Sequence, residues 1–266
     1  MSEQVGLRGK AWLQALTGQN SPLKGDPGSV LTADATLGDN TARYFCVVPN
    51  PDARFPCARR GEVGLEESYT LATRLREAIE QDKNGKKTAA VLLLETGGVR
   101  LQEANLGLAV IAEVMASILA LREHAPVITV IAGTVGCFGG MSIAAGLSSY
   151  IVMTVEARLG LNGPEVIEQE SGIEEFDSSD KALIWAINGG EQRVGMGVAD
   201  ELVLDDAEKI AASVQHYVKA GLPKVHRSKQ VELYRERIAA LDTSQQIDPL
   251  TLRKSWNSKT NQGGAR

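Results

Sequence analysis

Residues 89–103 read AAVLLLETGGVRLQE, and this stretch decides the fold. Residues 126–142, PVITVIAGTVGCFGGMS, repeat its arrangement of an apolar run followed by a glycine pair. Each run is typical of a buried strand, and each pair opens onto an expected helix. Glycine at such a turn lets a ligand approach the backbone closely and leaves N–H groups exposed. Gly97-Gly98 and Gly139-Gly140 therefore predict N–H donors from two neighbouring strands, aimed at one oxygen as in an oxyanion hole for a thioester carbonyl.

The rest of the chain alternates between expected strands and helices. Such alternation predicts an α/β fold with parallel strand pairing and right-handed crossovers. The first two strands are expected to form a hairpin that turns at residues 38–40. The strands of this hairpin are residues 30–37 and 42–48, and further strands are expected over 150–155 and 198–204. Helices are expected over 65–82, 106–121, 138–147, 178–187 and from Pro164. Asn84-Gly85 is expected to end the 65–82 helix, and Asn188-Gly189-Gly190 the 178–187 helix.

The chain contains no internal repeat and no convincing domain boundary. Residues 1–29 are expected to form an N-terminal segment. Residues 30–253 are expected to form one domain, which includes a charged, mostly helical region from Asp206 onward. Residues 254–266 are polar and contain Gly263-Gly264, so a disordered tail is expected there.

Bulk properties exclude several classes of protein. The chain has 266 residues and a formal net charge of −5, so a general nucleic-acid binder is not expected. Its three cysteines show no C-x-x-C spacing, which argues against a disulfide scaffold or a zinc ribbon. The N-terminus has no apolar core of signal-peptide length, and no stretch reaches the ~20 uninterrupted apolar residues of a membrane span. We expect a soluble, cytoplasmic protein without a membrane partner.

The usual catalytic motifs are missing from the sequence. None of the three histidines, His124, His216 and His226, has a partner at metal-ligand spacing, so no metal site is expected. No G-x-S-x-G elbow, P-loop or G-x-G-x-x-G fingerprint occurs. The remaining candidates for catalytic groups are the backbone N–H groups of the glycine turns. The second turn begins a helix, whose dipole favours developing negative charge.

Three ordered motifs resemble the β-type domains of acyl-CoA carboxyltransferases. TGGVRLQE (96–103) resembles their SGGARMQE string, and PVITV (126–130), followed by Gly140, resembles their second strand and glycine pair. GPEVIEQ (163–169) resembles their GPRVIEQ segment. The resemblance covers roughly residues 28–205. It implies the crotonase fold, built from repeated ββα units, here with a C-terminal helical region.

Two further strings narrow the resemblance. The chain lacks the four-cysteine zinc ribbon of the acetyl-CoA carboxylase β subunit. FCVVPN (45–50) and GEVGLEESY (61–69) are instead similar to the β subunit of biotin-independent malonate decarboxylases. That family uses a β and a γ crotonase-fold subunit, with the site at their interface, to decarboxylate malonyl thioester on an acyl carrier protein.

The resemblance implies a mechanism and a set of site residues. Loss of CO₂ leaves an enolate, which backbone N–H groups stabilise without a metal or a nucleophile. No cofactor is expected to bind directly, because the substrate is carried on a CoA-like prosthetic group that an acyl-carrier transferase subunit handles. The expected catalytic positions are Gly97, Gly98, Gly139 and Gly140, and the expected substrate contacts are Arg100, Gln102, Phe138 and Gln169.

Other interpretations stay open at this point. A biotin-dependent carboxyltransferase subunit would share the oxyanion hole but need a biotin carrier. A crotonase-type hydratase would need an acid/base glutamate near a turn, for which Glu95 and Glu103 are the candidates. A non-catalytic scaffold is a third possibility. Gln102 and Gln169 could equally be structural, and a salt bridge from Arg100 to Glu103 or Glu95 is favoured over a substrate contact.

Overall fold

The computed structural model describes residues 6–18, 27–37, 40–53, 56–83, 88–244 and 247–260. At its centre is a six-stranded sheet whose strands lie side by side in chain order. The first two strands pair antiparallel, and each later neighbouring pair is parallel. The strands are β1 (Val30–Leu37), β2 (Asn40–Val47), β3 (Thr88–Leu94), β4 (Val127–Ile131), β5 (Tyr150–Thr154) and β6 (Glu201–Val203).

Helices cover both faces of this sheet. The helices are α1 (Lys10–Thr17), α2 (Leu65–Lys83), α3 (Ala104–Leu121), α4 (Gly139–Gly146), α5 (Pro164–Ser171), α6 (Lys181–Asn188), α7 (Gly190–Gly195), α8 (Ala207–Ala220), α9 (Val231–Ala239) and α10 (Pro249–Thr260). Leu92 packs with α2, α3 and α4 on one face, whereas its neighbour Leu93 packs with α1 and α8 on the other. Because successive side chains on a strand point to opposite faces, a sheet covered on both sides requires strands that are apolar throughout.

The predicted strands and helices are present, with two informative differences. β6 is shorter than the expected 198–204, because the N–H groups of Val198 and Ala199 donate to the Arg193 carbonyl in a turn. The 178–187 helix ends at Asn188, but Gly190 begins α7 instead of a loop. A Cβ on Gly190 would lie 2.6 Å from Leu202 Cδ1, so glycine lets α7 pack closely on β6. Most of the expected 38–40 turn and the Asn84-Gly85 helix stop lie outside the described residues.

The C-terminal region is helical, as the sequence indicates. α10 continues past the expected boundary at residue 254 to Thr260. Trp256 is buried, and the centre of its ring lies 6.2 Å from the centre of the Tyr234 ring. The domain limits stay a prediction, and residues 261–266 lie outside the described part of the chain.

One segment among the described residues, Leu101–Leu121, is long and apolar enough to cross a membrane by length and composition alone. Its inner face packs into the core of the protein through Ile111, Val114 and Ile118. Only 33% of its apolar 18-residue window is buried, so the helix also carries apolar side chains that are exposed on this chain.

Candidate active site

The two glycine turns lie side by side at the carboxyl edge of the sheet. β3 and β4 are parallel neighbours, with Leu94 opposite Ile131 at the end of the pairing. The pairing resumes just beyond the strands: Thr96 N–H donates to the Gly136 carbonyl at 2.7 Å, and Phe138 N–H donates to the Thr96 carbonyl at 3.1 Å. The prediction that the two glycine turns are neighbours is therefore confirmed.

The segments that follow four neighbouring strands form a small second layer. Isolated bridges join Val63 to Val99, Thr96 to Cys137, Cys137 to Leu159, and Arg158 to Gly189. Val63, Cys137 and Leu159 are buried in the main core on the α2–α4 side. Both glycine turns are thus held by hydrogen bonds to neighbouring segments and are not free loops.

Three of the four expected glycines already use their N–H groups inside the protein. Gly97 N–H donates to the Arg60 carbonyl at 2.9 Å, and Gly139 N–H donates to the Leu161 carbonyl at 2.8 Å. Gly98 N–H donates to Thr96 Oγ1 at 3.0 Å. Of the expected donors, Gly140 is the one whose N–H has no hydrogen-bond partner among the residues that the structure describes, and it is available for a ligand.

A second available donor is Val99, which the sequence did not single out. Its N–H makes no hydrogen bond to another residue in the described part of the chain. Gly140 lies in the first turn of α4, where N–H groups have no partner within the helix. A Cβ built on Gly139 would lie 3.6 Å from Val99 N, so the two turns meet at this point. Val99 and Gly140 are the candidate pair of oxyanion donors.

Glycine is needed where the two turns touch. Gly98 has φ +103°, and a Cβ there would lie 2.7 Å from the Phe138 carbonyl oxygen and 3.2 Å from Gly139 Cα. Gly139 has φ +60°, which also disfavours a side chain. These glycines set the spacing of the donors even though their own N–H groups are used elsewhere.

Arg100 is buried in an ion-pair network next to the first turn. Its guanidinium contacts Glu67 and lies 2.8 Å from Glu103, and its side chain is 2% exposed. Burial alone would lower the pKa of Arg100, but its hydrogen bonds to Glu67 and Glu103 raise that pKa overall. The salt bridge from Arg100 to Glu103, which the sequence favours, is therefore confirmed. The second partner of Arg100 is Glu67 and not Glu95. A substrate contact by Arg100 would require this network to open.

The other expected substrate contacts are spread around the turns. Gln102 is exposed on a short 3₁₀ turn before α3, and Gln169 is exposed on α5. Phe138 is buried beneath the Arg158 guanidinium, whose carbon lies 5.5 Å from the centre of the ring. Contact of these three side chains with substrate stays a prediction.

The glutamate that precedes the first turn faces the N-terminal segment. Glu95 is 1% exposed, and its Oε2 accepts a hydrogen bond from Gly9 N–H at 3.0 Å. Burial raises the pKa of this carboxyl group, an effect that the hydrogen bond from Gly9 partly offsets. Glu103 is committed to Arg100 and to the N–H of Leu65. Neither glutamate is placed as the acid/base that a hydratase would need.

Replacing Glu95 with glutamine should stabilise the protein at neutral pH. A folded-state pKa above the ordinary 4.5 means that ionised Glu95 destabilises the fold increasingly as pH rises through that pKa. Glutamine keeps an acceptor for Gly9 and carries no charge. We expect a higher melting temperature for Glu95→Gln at pH 7.5, by roughly 2–4 °C for each kcal/mol recovered, and a smaller gain at pH 5. Equal gains at both pH values would contradict the electrostatic cause.

An exposed apolar surface borders the glycine turns. Its members come from the elements that carry or flank the turns: Leu101, Leu106, Leu108, Ile143 and Leu161. Leu101 is 87% exposed, directly beyond the first turn. Large apolar side chains exposed around a candidate site are typical of a contact with another protein subunit. Within the described residues, no group of three His, Cys, Asp or Glu side chains could hold a metal ion.

The fold and the paired turns define a crotonase-fold protein of the carboxyltransferase type. The 12S subunit of transcarboxylase superposes with a TM-score of 0.59 over 80% of this chain and 41% of that one, at 19% identity, which supports the fold. A chain of a Pseudomonas malonate decarboxylase hetero-tetramer, solved with malonate, superposes with a TM-score of 0.86. It is 41% identical over 96% of this chain and 97% of its own. No protein-family model matches the sequence.

A curated relative agrees with the structural similarity. The malonyl-S-ACP:biotin-protein carboxyltransferase of Malonomonas rubra is 34% identical over 219 residues, which are 79% of this chain and 69% of the relative. The chain belongs to the malonate decarboxylase family, as a β-like subunit. The expected crotonase fold and the expected family are therefore both confirmed.

Proposed function

We propose that this chain is the β subunit of a biotin-independent malonate decarboxylase. The complex would convert malonyl thioester on an acyl carrier protein to acetyl thioester and CO₂. The observation that carries the proposal is the meeting of two glycine turns whose Val99 and Gly140 N–H groups have no partner among the described residues. The 41% identity to a malonate decarboxylase chain over nearly its whole length supports the choice of reaction.

The backbone geometry fits enolate stabilisation. When the C–C bond to the carboxylate breaks, its electron pair delocalises onto the thioester oxygen. An oxygen placed between the Val99 and Gly140 N–H groups would accept two hydrogen bonds and lie at the positive end of α4. One such donor typically contributes roughly 3–4 kcal/mol to transition-state stabilisation. Because the turns are hydrogen-bonded to neighbouring segments, the donors need little reorganisation when charge develops.

The proposed complex contains further subunits. A γ-type crotonase-fold subunit would cover the apolar surface around Leu101 and Leu106, which is exposed on this chain. The hetero-tetrameric state of the Pseudomonas enzyme supports such a heteromer. The malonyl group would arrive on an acyl carrier protein with a CoA-like prosthetic group, loaded by an acyl-carrier transferase subunit. This chain itself would bind no cofactor directly.

Release of CO₂ from malonyl thioester tests the proposal directly. We expect the chain co-purified with its γ-type partner to release CO₂ without biotin or bicarbonate, and neither chain to do so alone. The alternative is a subunit of a biotin-dependent carboxyltransferase. The Malonomonas relative, a malonyl-S-ACP:biotin-protein carboxyltransferase, supports this alternative. Activity that appears only when a biotinylated carrier is added would establish that alternative and overturn the proposal.

A further inference from the structure

The second glycine turn is held by the segment that follows β5. Cys137 N–H donates to the Arg158 carbonyl at 2.8 Å, and Gly139 N–H donates to the Leu161 carbonyl at the same distance. Gly140 is the next residue in the chain. The direction of its N–H therefore depends on how firmly this turn is held.

The chain between β4 and this turn has few anchors of its own. Gly133 and Gly136 carry no side chain, and their φ angles are +87° and +78°. The side chain of Thr134 is exposed, and that of Val135 is half-buried. Such a segment has more conformational freedom than one whose side chains are buried in the core. It therefore depends on contacts made by other parts of the chain.

The side chain of Arg158 supplies such contacts. Its Nη2 donates to the Thr134 carbonyl at 2.5 Å and to the Val135 carbonyl at 3.3 Å. Its guanidinium carbon also lies 5.5 Å from the centre of the Phe138 ring and 4.8 Å from the centre of the Trp185 ring on α6. A cation at this distance is attracted to the face of an aromatic ring. One side chain thus connects the start of the segment, the residue before the glycine pair and α6.

We infer that Arg158 is a positioning residue, which holds the second glycine turn so that the Gly140 N–H converges with the Val99 N–H on the enolate oxygen. The inference rests on the proposed decarboxylation. In this role Arg158 acts through the turn and does not contact the substrate. Because charge develops on the oxygen only as the C–C bond breaks, the contribution of Arg158 belongs to the transition state more than to substrate binding.

Arg122 provides a matched control at a distance from the site. It donates from Nη1 to the Leu147 carbonyl and from Nη2 to Ser228 Oγ at 3.0 Å. Burial lowers the pKa of Arg122, as it does that of Arg158. Leu147 lies before β5, whereas Arg158 lies after it, so the two arginines are at opposite edges of the sheet.

The test compares Arg158→Met with Arg122→Met in the complete complex with the γ-type partner. Methionine keeps an apolar stem but cannot donate to a carbonyl. We expect kcat for CO₂ release by Arg158→Met to fall by about 10-fold, less than for the loss of a whole oxyanion donor, and KM for malonyl thioester to stay within about twofold. Arg122→Met should lower the midpoint of urea unfolding to a similar extent but keep the wild-type kcat and KM.

The two kinetic constants and the control separate the outcomes. Wild-type kcat for Arg158→Met would overturn the inference and leave the proposed function intact. A higher KM with unchanged kcat would mean that Arg158 binds substrate, and equal losses of kcat in both variants would mean general destabilisation; either result overturns the inference. Absence of release by the wild-type complex would instead overturn the proposed function. If Arg158→Met does not assemble, Trp185→Leu is judged in its place: kcat should fall with KM unchanged, and wild-type kcat would overturn the inference.

Discussion

Gly98→Ala should lower the decarboxylation rate by at least about 100-fold, the scale of losing one oxyanion-hole donor. The added Cβ would lie 2.7 Å from the Phe138 carbonyl oxygen, at a φ of +103° that disfavours any side chain. The atoms it meets belong to the backbone of the second turn and cannot rotate away. The turns must therefore separate, and the Val99 and Gly140 donors no longer converge. The measurement is CO₂ release by the purified complex, with assembly checked by size-exclusion chromatography.

Gly146→Ala is the matched control for this prediction. It adds the same methyl group to α4, but no atom lies within 4 Å of the new Cβ. This variant should assemble and turn over normally. Gly140→Val, the substitution that the sequence alone suggests, is less informative, because a Cβ at Gly140 would press on Ile111 and Val99 at 3.1 Å. An assembled Gly98→Ala complex with normal turnover would refute the oxyanion-hole assignment.

Arg100→Met should lower the free energy of unfolding by about 3–5 kcal/mol, the usual cost of breaking a buried ion pair. Both Arg100 and Glu67 have side chains that are 2% exposed, so the substitution leaves a buried carboxylate without its cation. The measurement is urea unfolding followed by circular dichroism, with wild type and variant compared at the same protein concentration. A change below about 1 kcal/mol, as for a surface pair, would contradict the assignment.

Two companion variants show where the loss originates. Adding Glu67→Gln to Arg100→Met removes the uncompensated charge, so the double variant should recover part of the lost stability. Arg235→Met breaks a pair with Glu232 in which both side chains are more than two-thirds exposed, and it should unfold at the wild-type urea concentration. A double variant less stable than Arg100→Met would mean that packing, and not charge, dominates the effect.

The sequence predicted the scaffold because its signals are local. Apolar runs long enough for a strand, and glycines after them, identify β3, β4 and the start of α4 without knowledge of the fold. Neighbouring parallel strands have their carboxyl ends at the same edge of the sheet. The sequence therefore also predicted that the two glycine turns lie side by side. Helix ends were less predictable: Gly190 begins α7 because of its packing on β6, which depends on a distant strand.

The available donors could not be read from the sequence. Gly97 and Gly139 donate to carbonyls of Arg60 and Leu161, which lie 37 and 22 positions away in the chain. Only the folded arrangement of these segments shows that the N–H groups of Val99 and Gly140 have no partner in the part of the chain that the structure describes. The pairing of Arg100 with Glu67 likewise joins residues 33 positions apart.

The sequence by itself thus determined the family, the strands and the place where the site lies. These depend on side-chain polarity and glycine conformation within short segments. The tertiary structure alone decided which N–H groups have no partner among the described residues, what each acid near the turns contacts and which cation is buried. Hydrogen bonds and ion pairs between distant segments settle these points, because a backbone or carboxyl group is available for chemistry only if no neighbour in the fold has already bound it.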